Sequence, residues 1–192
     1  GVTIGVLCLD PHFPKPPGHI KNPSGLSFPV LYETVPGATV AKLVNGPPPD
    51  FIEPFLEAAR RLEAEGARAI TGSCGFFALF QRQLAEAVSV PMFASSLIQV
   101  PLVHHMLGGR GKVGVLTASG PNLTAQHFAA VGAGDIPVAV QGMDDYREFR
   151  EVILEGQRDD MDMAKIEKEV LARRQAVAQD PPRRRCRGAG MH

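Results

Sequence analysis

The chain has 192 residues, 44% of them hydrophobic, and its 20 Lys and Arg against 20 Asp and Glu leave a formal net charge of zero. That length holds one large domain or two small ones with a substantial core, and the neutral balance gives no reason to expect nucleic acid or an anionic membrane as a partner. Cys8, Cys74 and Cys186 are too few and too scattered for a disulfide framework, no Cys/His cluster has zinc spacing, and no apolar run nears the roughly 20 residues that span a bilayer, so a soluble cytoplasmic protein without a metal is expected.

In chain order, residues 2–9 form a near-continuous apolar run, the mark of a strand buried on both faces of a parallel sheet. Residues 10–29 are crowded with Pro and Gly and read as a long loop of the kind that carries function. Residues 28–32 and 38–44 read as extended. Asp50 is placed to cap an amphipathic helix over 51–65 that stops at Gly66. A strand over 67–71 leads to Cys74, and a helix runs on through Ala87. A strand over 90–94 ends at Ser95-Ser96, and a helix over 98–107 ends at Gly108-Gly109. Strand and helix alternate, which predicts a parallel α/β sheet with its site at the carboxyl ends of the strands.

Residues 112–119 then repeat the pattern of 3–10, an apolar strand followed by a polar residue and a loop. A helix over 123–131, a strand over 137–141, a polar turn over 143–148 and an amphipathic helix over 163–179 follow. The echo predicts an α/β protein of two pseudo-symmetric lobes, each a parallel sheet flanked by helices. Residues 1–99 form the first lobe, 100–181 an incomplete second lobe, and 182–192 a basic, disordered tail. Where the second lobe should supply a counterpart of 67–75, the sequence turns to Asp180-Pro181-Pro182-Arg183-Arg184-Arg185, with no apolar run for a buried strand. A frameshift or truncation after about Pro181 is the expectation, and uncovered apolar surface would then favour a homo-oligomer.

Cys74 is the candidate catalytic residue. It sits where a strand's carboxyl end meets a helix start, between Gly72 and Gly75, where free N–H groups and the helix dipole lower a thiol's pKa. The competing reading is a small buried hydrophobe at a strand end. Cys8, within the first apolar run, reads as core.

The runs Ile4-Gly5-Val6-Leu7-Cys8-Leu9-Asp10, Phe13-Pro14, Pro17-Gly18, Asn22-Pro23, Phe28-Pro29-Val30, Thr71-Gly72-Ser73-Cys74-Gly75-Phe76, Ser95-Ser96-Leu97-Ile98-Gln99-Val100-Pro101 and Val113-Gly114-Val115-Leu116-Thr117-Ala118, taken in order, resemble the aspartate/glutamate racemase superfamily, in particular its hydantoin-racemase-like branch. The resemblance implies a cofactor-independent isomerase: a racemase or epimerase of amino acids or their derivatives. A small carboxylate or hydantoin-like substrate would lie between two lobes that each contribute a cysteine. One thiolate takes the α-proton and the other thiol returns a proton to the opposite face. By the same resemblance, Asp10 is a second catalytic candidate beside the first cysteine, Ser73, Gly75, Phe76, Thr117, Ala118 and Ser119 bind the carboxylate, and Ser95 and Ser96 join the substrate-binding set. Asp10 before Pro11 also reads as a turn initiator, and Ser95-Ser96 as a helix cap. The surroundings of Cys186 match neither the strand nor the motif of the family's second cysteine. A catalytically impaired or binding-only remnant, a decarboxylase and a cis–trans isomerase are therefore alternatives, although the family's single-cysteine decarboxylases keep their cysteine in the second lobe.

Overall fold

The computed structural model describes residues 1–179, so the expectations for the tail over 182–192, Cys186 included, lie outside the described residues. Strands β1 (Ile4–Cys8), β2 (Val30–Thr34), β3 (Ala69–Gly72) and β4 (Met92–Phe93) form one parallel sheet in the order β2-β1-β3-β4. Strands β5 (Val113–Thr117) and β6 (Val138–Gly142) form a second parallel sheet, with Val113 opposite Val138 and Thr117 opposite Gly142. Around them lie α1 (Val40–Val44), α2 (Glu53–Ala64), α3 (Gln81–Glu86), α4 (Gln99–Met106), α5 (Ala125–Ala130), α6 (Arg147–Phe149) and α7 (Met163–Gln179). Parallel sheets flanked by helices in two units are the architecture the alternating pattern predicts. Among the described residues no helix is long and apolar enough to cross a membrane.

The apolar spacing of α2 explains the first sheet's cover. Phe55, Ala58, Ala59 and Leu62 recur at helical spacing and are all buried. Phe55 meets Phe77 edge-on, with ring centroids 4.8 Å apart at 69°, beneath Leu7 and Ile70 of the sheet. Burying each such ring stabilises the fold by about 2–3 kcal/mol, and the edge-to-face pair adds about 1 kcal/mol.

Several local expectations are corrected. Residues 40–44 are helical rather than extended, because the Thr39 hydroxyl accepts from the Lys42 N–H at 3.2 Å and caps a turn that Gly37, at φ +70°, has opened. Asp50 does not cap α2. Its carbonyl accepts from Glu53 N–H at 3.3 Å in a preceding turn, and Pro54 in the first turn fixes the later start. The segment after Cys74 is a 3₁₀ turn, Gly75–Phe80, before α3 begins. The expected polar turn over 143–148 holds at 143–146, where Tyr146 N–H donates to the Met143 carbonyl at 3.1 Å, and then gives way to α6 and a π-helical turn, Arg150–Leu154. Glu169 of α7 causes this, its carboxylate accepting from the N–H groups of Glu148 and Phe149 at 3.0 and 2.9 Å and so satisfying the start of α6. On α7 the inward stripe is mixed rather than apolar, and Arg173 docks it through Gln141 and Asp145 at 3.0 and 2.9 Å.

The first sheet places its topological switch point between β1 and β3, where the chain leaves to opposite sides. Crevices form at the carboxyl ends of strands flanking such a point. Leu9, Asp10, Ser73 and Cys74 all lie just past those ends.

Candidate active site

Two bonds fix the end of β3. Ser73 N–H donates to the Leu7 carbonyl at 2.9 Å, and the Ser73 hydroxyl accepts from Leu9 N–H at 3.2 Å. The chain then turns through Cys74, whose backbone is extended at φ −142°, ψ 134° and whose carbonyl accepts from Phe77 N–H at 3.1 Å. Its thiol is half-buried and free. It opens into a cleft of about 140 Å³ lined by Cys74, Phe76, Ser96, Thr117, Ala118 and Leu123, so residues following β3 and β4 face residues at the end of β5.

The thiol's acidity runs opposite to the sequence expectation. Burial pushes Cys74 up to about 11, and the N–H of Phe76 offsets only part of that. In place of a helix dipole, the fold supplies a six-residue 3₁₀ turn and an apolar wall. Since the thiolate is the nucleophile, alkylation of Cys74 by iodoacetamide is expected to quicken about tenfold per pH unit from pH 8 and to level off only near pH 11. Peptide mass spectrometry against pH measures this, and a plateau below pH 9 contradicts it. The same shift links to stability. Cys8, buried in β1, is also raised to about 11, and the fold holds protons that the unfolded chain releases near pH 9. Both thiols therefore withdraw stability as pH rises from about 9 to about 11.

The structure gathers some of the predicted residues and separates others. Gly75, Phe76, Ser96, Thr117 and Ala118 line the Cys74 cleft. Ser95 is buried beside it, where its hydroxyl donates to the Gly75 carbonyl at 2.5 Å and accepts from Leu97 N–H at 3.1 Å, so it braces the Cys74 turn and caps its own. Ser73 is occupied by Leu9. Ser119 is buried in a separate cleft with Asn122, Asp144 and Arg150. Asp10 lines another cleft of about 190 Å³ with Thr39, Leu154 and Arg158. Its carboxylate accepts from Gly37 N–H at 2.9 Å and its own N–H donates to the Ala38 carbonyl at 2.9 Å, which ties the end of β1 to the loop after β2. Sequence reasoning missed the apolar lining, Leu97, Val115, Leu116 and Leu123, whose side chains carry no chemical signal. It also missed His127, packed behind Phe76. No group of His, Cys, Asp and Glu able to hold a metal ion occurs among the described residues.

An Asp/Glu racemase homologue structure from Yersinia pestis superposes with a TM-score of 0.56 over 95% of this chain and 83% of its own, at 13% identity. A glycine-to-cysteine mutant of arylmalonate decarboxylase in a sulfate-associated form gives 0.53 over 92% and 74%, at 19% identity. The fold is that of the aspartate/glutamate racemase superfamily. In sequence, the chain is 31% identical over 166 residues to dimethylsulfoniopropionate lyase 3 of Emiliania huxleyi, covering 83% of this chain and 43% of that one. It is 34% identical over 127 residues to the dimethylsulfoniopropionate lyase of Durusdinium sp. clade D, covering 65% and 42%. The chain thus spans less than half the length of these curated relatives, which are enzymes. No family model matches it.

Proposed function

We propose that this chain carries the base of a lyase that eliminates dimethyl sulfide from dimethylsulfoniopropionate or a close β-sulfonium carboxylate, with Cys74 taking the α-proton. In this reading residues 1–99 form the lobe that holds Cys74, and the residues from 100 onward form the lobe facing it. The Cys74 thiolate removes a proton from the carbon next to the carboxylate. The electron pair of that C–H bond becomes the second bond between Cα and Cβ, and the Cβ–S bond breaks toward sulfur. Dimethyl sulfide leaves neutral, acrylate remains, and the proton resides on Cys74 until solvent takes it. One C–H and one C–S bond are lost, and one C=C bond is gained.

The observation that carries this reading is the 31% identity over 166 residues to a dimethylsulfoniopropionate lyase, in a chain whose Cys74 lines the cleft between its two sheets. The acidity of Cys74 supports it. A thiol held near 11 by an apolar cleft is a poor base until a cation arrives, and an opposite charge within about 4–6 Å lowers an acid's pKa by about 1–3 units. The sulfonium of the substrate supplies that charge, so binding itself activates the base. The Ser96 hydroxyl and the backbone at Thr117 and Ala118 are proposed to receive the carboxylate, whose charge grows as the proton leaves.

The racemase reading shares the first step and differs in the second. Inversion needs a second acid on the opposite face, whereas elimination proceeds with one base and a leaving group that departs uncharged. Of the described cysteines, Cys74 lines the cleft and Cys8 is enclosed in β1. Incubation with dimethylsulfoniopropionate, followed by gas chromatography for dimethyl sulfide and liquid chromatography for acrylate, tests the proposal. Parallel incubations with single enantiomers of aspartate and glutamate are followed by chiral chromatography. Inversion of an amino acid without dimethyl sulfide release would overturn it in favour of the racemase.

A further inference from the structure

His127, on α5, is nearly fully buried, yet its Nε2 has no hydrogen-bond partner in the described structure. Its other nitrogen fixes the tautomer. Thr124 N–H donates to Nδ1 at 3.1 Å, so Nδ1 is an acceptor and the proton sits on Nε2. Burial holds the ring below the ordinary imidazole range and keeps it neutral. A neutral, buried N–H without a conventional acceptor is an uncommon arrangement. What stands next to it is the Phe76 ring, perpendicular to the imidazole at 5.0 Å between centroids and 81° between planes. An aromatic face accepts an N–H weakly and directionally.

Phe76 is two residues past Cys74, its side chain is buried, and its backbone N–H acts to lower the pKa of the Cys74 thiol. Whatever fixes the Phe76 ring also fixes where that N–H points. We propose that His127 is a positioning residue for Cys74: its Nε2–H bonds to the face of Phe76 and so holds the Phe76 N–H under the sulfur. The proposal rests on the reading of Cys74 as the reactive thiol. It gives α5, an element of the second unit, a direct grip on the reactive turn of the first.

The test reads the thiol itself, independent of any substrate. Alkylation of Cys74 by iodoacetamide at pH 8 is followed at the Cys74 peptide by mass spectrometry, and thermal melts monitor folding. His127→Leu removes the donor and is expected to slow alkylation at least threefold while the protein remains folded at the assay temperature. His127→Gln places an amide N–H near the Nε2 position and is expected to keep the rate within twofold of the parent. Equal rates in the parent and in folded His127→Leu overturn the proposal. So does an equal slowing in both variants, which would make the role one of packing alone. Should His127→Leu fail to fold, His127→Phe, which keeps a ring and lacks the donor, takes its place with the same expected loss. Failure of the parent to release dimethyl sulfide alters none of these outcomes, so the two proposals fail separately.

Discussion

Replacing Cys74 by alanine is expected to lower kcat/KM for dimethyl sulfide release by about 10²–10⁴-fold, the range a positioned general base supplies. The protein should remain folded. The bonds that shape the turn run from the Cys74 carbonyl to Phe77 and between Ser73, Leu7 and Leu9, and none uses the thiol. The side chain is half-buried, so losing one sulfur atom there costs little packing, and the thermal midpoint should move by only a few degrees. The variant should also stop exchanging the substrate's α-hydrogens with deuterated solvent, which isolates proton removal from the later C–S cleavage. Asp10→Asn supplies the contrast. Its carboxylate already accepts from Gly37 and lines a different cleft, so its loss should change turnover less than tenfold while loosening the turn at Gly37. Parent-like dimethyl sulfide release from Cys74→Ala would make Cys74 structural and remove the proposed mechanism.

The parts of this molecule legible in the sequence are those that depend on neighbouring residues. The apolar run of β1, the 55, 58, 59, 62 spacing of α2 and the position of Cys74 past β3 follow from local period and chain order. What could not be read depends on residues far apart in the chain. The helix at α6 exists because Glu169 reaches back about twenty residues to satisfy its first N–H groups. The Asp10 carboxylate is held by the N–H of Gly37, 27 positions on. The thiol's acidity likewise depends on distant residues. A dipole at a helix start is visible in a sequence, whereas the apolar wall brought by β5 and Leu123 is a product of tertiary packing. The family pattern also groups Ser73, Ser95 and Ser119 in one substrate-binding set, whereas their bonds and clefts are set by tertiary packing. Here Ser73 and Ser95 bond to their own backbone surroundings, and Ser119 lies in another cleft.

A large stability effect is expected at Gly72, the last residue of β3. A β-carbon there would sit 2.3 Å from the Ala94 carbonyl oxygen, 2.9 Å from a ring carbon of Phe77 and 3.2 Å from the Ala94 carbonyl carbon. Two of these three contacts are backbone, which cannot rotate away as a flexible side chain can. Nor is Ala94 free to withdraw. Gln81 of α3 accepts from the Ala94 N–H and donates to the Met92 carbonyl, each at 2.9 Å, and clamps both ends of β4 in place. Gly72→Ala must therefore part β3 from β4 or break that clamp, and is expected to cost about 3 kcal/mol. For a chain of this length that lowers the thermal midpoint by about 6–12 °C, readable by circular dichroism. Gly37→Ala calibrates the measurement. Its β-carbon would meet nothing within 4 Å, so the change carries only the strain of φ +70°, about 1 kcal/mol. If the two variants melt together, the close approach at Gly72 is not what holds these strands. The displacement should also reach the chemistry, because Ser95 and Ser96 follow Ala94 directly and Cys74 lies two residues past Gly72. Gly72→Ala should lose turnover at temperatures where it is still fully folded, whereas Gly37→Ala should keep it. A glycine with no chemistry of its own then sets the width of the cleft in which Cys74 works.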